Sequence, residues 1–112
     1  MATSTASAPD QAFTPAESIA LEEVFAQLPW LERVVLFGSR AKGVNARYAD
    51  VDLAIVGGSE EERAQLAQTL EEETTLPYFF DVIRLEAITS PELREHISRH
   101  GIVLYERNNL CA

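Results

Sequence analysis

Basic residues are scarce in this 112-residue chain: nine lysines and arginines face eighteen aspartates and glutamates, for a formal net charge of −9. A field of that sign repels a nucleic-acid backbone at long range. It argues against extended DNA or RNA binding and leaves room for one small phosphate-bearing molecule held by a local basic loop. Cysteine is scarcer still. Cys111 stands alone, so no intrachain disulfide can form, which suits a reducing compartment. No apolar run approaches the roughly eighteen residues that a spanning helix needs, so no membrane role is expected. The opening MATSTASAPDQAF has neither a basic n-region nor an apolar h-region. The expected location is cytoplasmic.

What is present is enough apolar material, 46% of the residues, for one globular domain. Residues 1–13, rich in Ala, Ser and Thr, read as a disordered tail, 14–107 as the folded domain and 108–112 as a C-terminal tail. Thr14, Pro15 and Glu17 form a capping-box start, and Ile19, Leu21, Val24, Phe25 and Leu28 follow as the apolar positions of a first helix that Pro29 stops. Strands are expected at 34–37 and 51–56. A second helix starts at Ser59 with Glu62 as its box partner, carries Leu66 and Leu70, and fades near Thr74. A third strand spans 78–85. Ser90-Pro91 opens a third helix that Gly101 closes as a C′ residue, and 102–105 make a last strand. The order α-β-β-α-β-α-β predicts an α/β (α+β) fold, a small mixed sheet covered by helices.

The chemistry concentrates in LFGSRAKGVNARYADVDLAIVG. Gly38 follows an apolar strand, where a tight turn lets backbone N–H groups approach an anion, and Ser39 adds a hydroxyl. Arg40, Lys42 and Arg47 place local positive charge in an acidic chain. Asp50 and Asp52, two apart on a strand, project to one face, and their mutual repulsion favours a cation between them. Hard oxygen donors at this spacing suit Mg²⁺ with substrate phosphates. A third acid, Asp81, lies in FFDVI among residues that read as buried. A carboxylate there needs a cation, a partner or a special role, and the plainer alternatives are pairing with Arg84 or lying on an exposed edge. Three carboxylates from two strands would suit a two-metal phosphoryl-transfer site. His96 and His100 have metal-ligand spacing, but read as cations near a helix C-terminus. Trp30 reads as a core plug, and the acidic clusters at 60–62 and 71–73 as solvated helix ends.

Gly38-Ser39, ten residues, then Asp50-Val51-Asp52 resembles the Gly-Ser-x10-Asp-x-Asp signature of the DNA polymerase β-like nucleotidyltransferases. The second Gly-Ser pair, Gly58-Ser59, has Leu70 and Glu72 at the same offsets and fails the pattern. Two aspartates at preset positions arise by chance less than about one time in a hundred. Over residues 15 to 107 the chain is most similar to the minimal nucleotidyltransferases (MNT), the antitoxin halves of HEPN–MNT toxin–antitoxin pairs. The resemblance implies the nucleotidyltransferase fold and a nucleotide held by Gly38, Ser39, Arg40 and Lys42. It implies two Mg²⁺ ions on Asp50 and Asp52, with Asp81 as the third ligand and base. The activity it implies is AMP transfer from ATP to a tyrosine of a HEPN ribonuclease toxin, the expected partner. Ala49 departs from the serine that relatives often carry before the first aspartate. Two other readings accompany this one: a non-catalytic antitoxin that neutralises by binding, and a small-molecule, antibiotic-type nucleotidyltransferase.

Overall fold

The structure is a computed structural model, and it describes residues 13–38, 50–74, 76 and 78–107. Its elements are helix α1 (Pro15–Ala26), strands β1 (Arg33–Phe37) and β2 (Asp50–Val56), helix α2 (Glu60–Glu72), strand β3 (Phe79–Arg84), a 3-10 turn (Leu85–Ala87), helix α3 (Pro91–His100) and strand β4 (Ile102–Glu106). The expected order holds. The strands form one sheet in the order β3-β2-β1-β4. β1 runs antiparallel to both β2 and β4, while β2 and β3 are parallel and joined across α2. Parallel neighbours need such a crossover, and α2 provides it.

Each helix begins where its side chains satisfy its first amides. The Thr14 hydroxyl accepts from Glu17 N–H at 3.1 Å and Glu17 Oε1 accepts from Thr14 N–H at 3.0 Å. Ser59 and Glu62 repeat the arrangement on α2, and Ser90 Oγ accepts from Leu93 N–H on α3. Such a cap is worth about 1 kcal/mol. Glu17 has a second task, accepting from the Tyr78 hydroxyl at 2.9 Å and tying the start of α1 to the entry of β3. At the other end of α1 the Arg107 guanidinium donates to the carbonyls of Leu28 and Leu31, at 2.7 and 3.1 Å.

The two faces of the sheet are covered unequally. Val34, Leu36, Val51, Leu53, Ile55, Phe80 and Val82 point to α1 and α2 and meet Leu21, Phe25, Leu31, Leu66 and Leu70 in the main core. Phe13 also packs there, edge-to-face with Tyr78, so the packed part includes the residue just before the boundary expected at 14. Ile19 is a correction: it is 57% exposed. It stands two residues before Leu21, about 200° around the helix, and so off the stripe that Leu21 and Phe25 define. The opposite face has a smaller core, Val35, Ala54 and Ile97, with Phe37, Ile83, Leu85, Ile88 and Leu93 packed around it under α3. Trp30 is partly buried against the main core, as expected of a plug.

Gly101 closes α3 as expected, as its C-cap residue. Its φ of −69° and ψ of 152° are extended. The residue is glycine for reasons of space: a Cβ there would run into Val35 Cγ1, so α3 could not approach β1 closely. The third strand is also two residues shorter than expected, 79–84.

Candidate active site

Asp50 opens β2, and Asp52 follows two residues later on the same face. In the parallel pairing Asp52 lies opposite Asp81 and Asp50 opposite Phe79. On the other flank Phe37, the last residue of β1, pairs with Asp52. One row across three strands therefore reads Phe37, Asp52, Asp81, with neighbouring strands about 4.8 Å apart. This is the face that α3 covers: Phe37 packs into the small core with Val35, Ala54 and Ile83, while Asp81 in its row and Asp50 beside it stay exposed. The aspartates lie at the solvent-exposed end of this face.

Gly38 makes the turn out of β1 with φ +81°, and a Cβ at that position would meet Asp52 Oδ2. Glycine is thus required twice, for the left-handed backbone and for the room beside the carboxylate. Asp52 is half-buried. Burial first, then the charges of Asp81 and Asp50, hold its carboxyl above the ordinary value. Three hard oxygen donors whose mutual repulsion is felt at the central residue are a fitting set for a divalent cation. Among the described residues no three His, Cys, Asp or Glu side chains close up into a ready-made ion cage. The fold brings the aspartates to one face without drawing their oxygens together.

One premise of the sequence reading fails. Asp81 is exposed, and β3 alternates exposed and buried along Phe79, Phe80, Asp81 and Val82. β3 is an edge strand. A solvated carboxylate needs no partner, so burial is not what singles Asp81 out; its place beside Asp52 is. Of the two plainer alternatives, the exposed edge is the one that forms; Arg84 lies 3.7 Å from Glu86 instead of pairing with Asp81. Ser39, Arg40, Lys42 and Arg47 lie outside the described residues, as does Cys111. His96 and His100 lie 5.0 Å apart between ring centroids, tilted by 46°, in the C-terminal half of α3.

Two residues were missed. Phe79, read as core, is 70% exposed on the site face. The period-2 count from Asp81 already placed it there. Arg63 of α2 donates to the Val82 carbonyl at 2.9 Å, covering the open edge of β3. Its protonation is strengthened first by the hydrogen bond to Glu60 and more weakly by Asp81.

With this geometry the chain matches the family described as Polymerase beta, Nucleotidyltransferase, over residues 20–110. It belongs to that family. No curated protein matches the sequence. Among solved structures it is similar to a toxin–antitoxin complex with AMP-PNP, at 25% identity and TM-score 0.63, covering 83% of this chain and 74% of the other. It also shares its fold with a complex of tri-AMPylated Shewanella oneidensis HEPN toxin and MNT antitoxin, at 21% identity and TM-score 0.63, covering 88% and 77%. A candidate nucleotidyltransferase from Sulfolobus solfataricus is similar at 19% identity and TM-score 0.54, covering 97% and 96%. The nucleotidyltransferase resemblance and mixed-sheet fold read from the sequence are borne out. No helix among the described residues is long and apolar enough to cross a membrane.

Proposed function

We propose that this nucleotidyltransferase is the antitoxin of a HEPN ribonuclease toxin and transfers AMP from ATP, with Mg²⁺, to a tyrosine hydroxyl of that partner. The observation that carries the reading is the shared face: Asp50 and Asp52 on β2, with Asp81 directly across from Asp52, beside the Gly38 turn. The similarity to a toxin–antitoxin complex with AMP-PNP supports both the nucleotide and the setting.

Asp50, Asp52 and Asp81 would hold Mg²⁺, which when bound neutralises charge on the phosphates. The Gly38 turn presents backbone N–H groups to the phosphates, with Ser39, Arg40 and Lys42 adding a hydroxyl and two cations. Asp81 accepts the proton of the attacking hydroxyl. The tyrosine oxygen forms a bond to the α-phosphorus while the bond to the bridging oxygen of pyrophosphate breaks, and pyrophosphate leaves with that electron pair. The product is a tyrosyl-AMP phosphodiester on the partner.

Intact-mass spectrometry of a co-purified toxin incubated with this protein, ATP and Mg²⁺ tests the proposal. Wild type should add one or more AMP units and Asp50→Asn/Asp52→Asn none. Neutralisation by both proteins without a mass change would instead assign occlusion by binding. Transfer to a small-molecule hydroxyl, with the toxin unmodified, would assign the antibiotic-type activity.

A further inference from the structure

The aspartates leave one neighbour without a role. Phe79 opens the edge strand β3 with 70% of its surface exposed, across from Asp50 and two residues before Asp81 on the same face. A large aromatic in water next to a row of carboxylates contributes little to folding, because it buries little area. Its placement assigns it a direction instead.

In-line displacement puts the attacking oxygen opposite the leaving group. The turn that receives the phosphates leaves β1 at Gly38, and a Cβ there would touch Asp52. In the sheet order β3 lies on the far side of β2 from β1. With pyrophosphate departing on the β1 side, the acceptor must approach over β3, where Asp81 and Phe79 stand. Two residues along a strand span about 7 Å. An aromatic side chain whose hydroxyl reaches Asp81 therefore brings its ring within the roughly 4.5–7 Å centroid distance at which aromatic pairs attract.

We propose that Phe79 is the acceptor platform: its ring packs against the aromatic ring of the partner's tyrosine and positions that hydroxyl at Asp81. The assignment rests on the AMP-transfer reading and specifies which part of the reaction the β3 edge serves. It also explains why an exposed phenylalanine stands here rather than a charged residue, since an edge strand is ordinarily protected with charge.

The test measures AMP transfer to the purified toxin by wild type, Phe79→Ala and Phe79→Tyr, with KM determined separately for toxin and for ATP. Toxin affinity without ATP is measured alongside by biolayer interferometry. Because Phe79 is mostly exposed, truncation should leave the fold intact, which circular dichroism checks. Phe79→Ala should raise the toxin KM and weaken toxin binding, each roughly three- to tenfold, with the ATP KM unmoved. Phe79→Tyr should restore both. A raised ATP KM with an unmoved toxin KM would overturn the assignment and make Phe79 a nucleobase platform. Unchanged values for both substrates would overturn it outright. If wild type itself transfers no AMP, the proposed function falls and the platform with it; if wild type transfers and Phe79→Ala matches it, the platform alone falls.

Discussion

The two faces of this four-stranded sheet are made from the same strands yet do opposite work. Leu53 and Asp52 are adjacent on β2. Leu53 is fully buried in the main core under α1 and α2, whereas Asp52 turns to the solvent-exposed end of the other face. One face gathers apolar area and supplies cohesion. The other gives up apolar contact to seat carboxylates that repel each other. The period-2 geometry of a strand lets both exist one residue apart, and it lets stability and activity be broken separately.

The sharpest break is Asp50→Asn/Asp52→Asn. Amides keep the shape and remove the charge, so AMP transfer should fall by at least about 10³-fold in steady-state assays, while thermal stability is not lowered. Leu53→Ala is its mirror image. It should cost about 2–5 kcal/mol in urea unfolding and leave the ATP KM of the folded fraction unchanged. Gly38→Ala strikes where the two functions meet. Strain at positive φ and collision with Asp52 should together cost about 1–3 kcal/mol and weaken ATP binding, both readable in a thermal-shift assay with and without nucleotide.

The same comparison sets a pH dependence. Asp52 has its carboxyl pKa raised by burial, by Asp81 and by Asp50. The folded state therefore holds that proton more tightly than the unfolded chain does. Its contribution to stability is complete below the ordinary carboxylate pKa and declines as pH rises through that value to the raised one, then levels off. Asp52→Asn should accordingly unfold above wild type near pH 7 in metal-free buffer, with the gap closing as pH falls below the ordinary carboxylate range. The smallest effect belongs to the packed face. Tyr78→Phe removes the hydrogen bond to Glu17 and should cost about 1 kcal/mol with no change in transfer.

Much of this was legible in the sequence because it is local. The capping boxes at Thr14 and Ser59 are three-residue patterns, and both form as read. Asp50 and Asp52 share a face by strand period alone. Apart from Ile19, the misreadings turn on which elements cover which. Asp81 drew notice for a burial it does not have, and Phe79 was counted as core, because nothing local says that β3 is an edge strand. Gly101 ends α3 where the sequence placed the stop, but the close approach to Val35, which also asks for glycine there, is a long-range fact. Ile19 looked like part of the apolar stripe, yet lies on the far side of α1.

The central claim is that the open face is a nucleotide-dependent cation site built on Asp50, Asp52 and Asp81. Electron paramagnetic resonance of Mn²⁺, titrated with a non-hydrolysable ATP analogue into wild type and Asp50→Asn/Asp52→Asn, tests it most directly. The account predicts protein-bound Mn²⁺ in wild type only, strengthened by the analogue. Equal binding by the two proteins would contradict it.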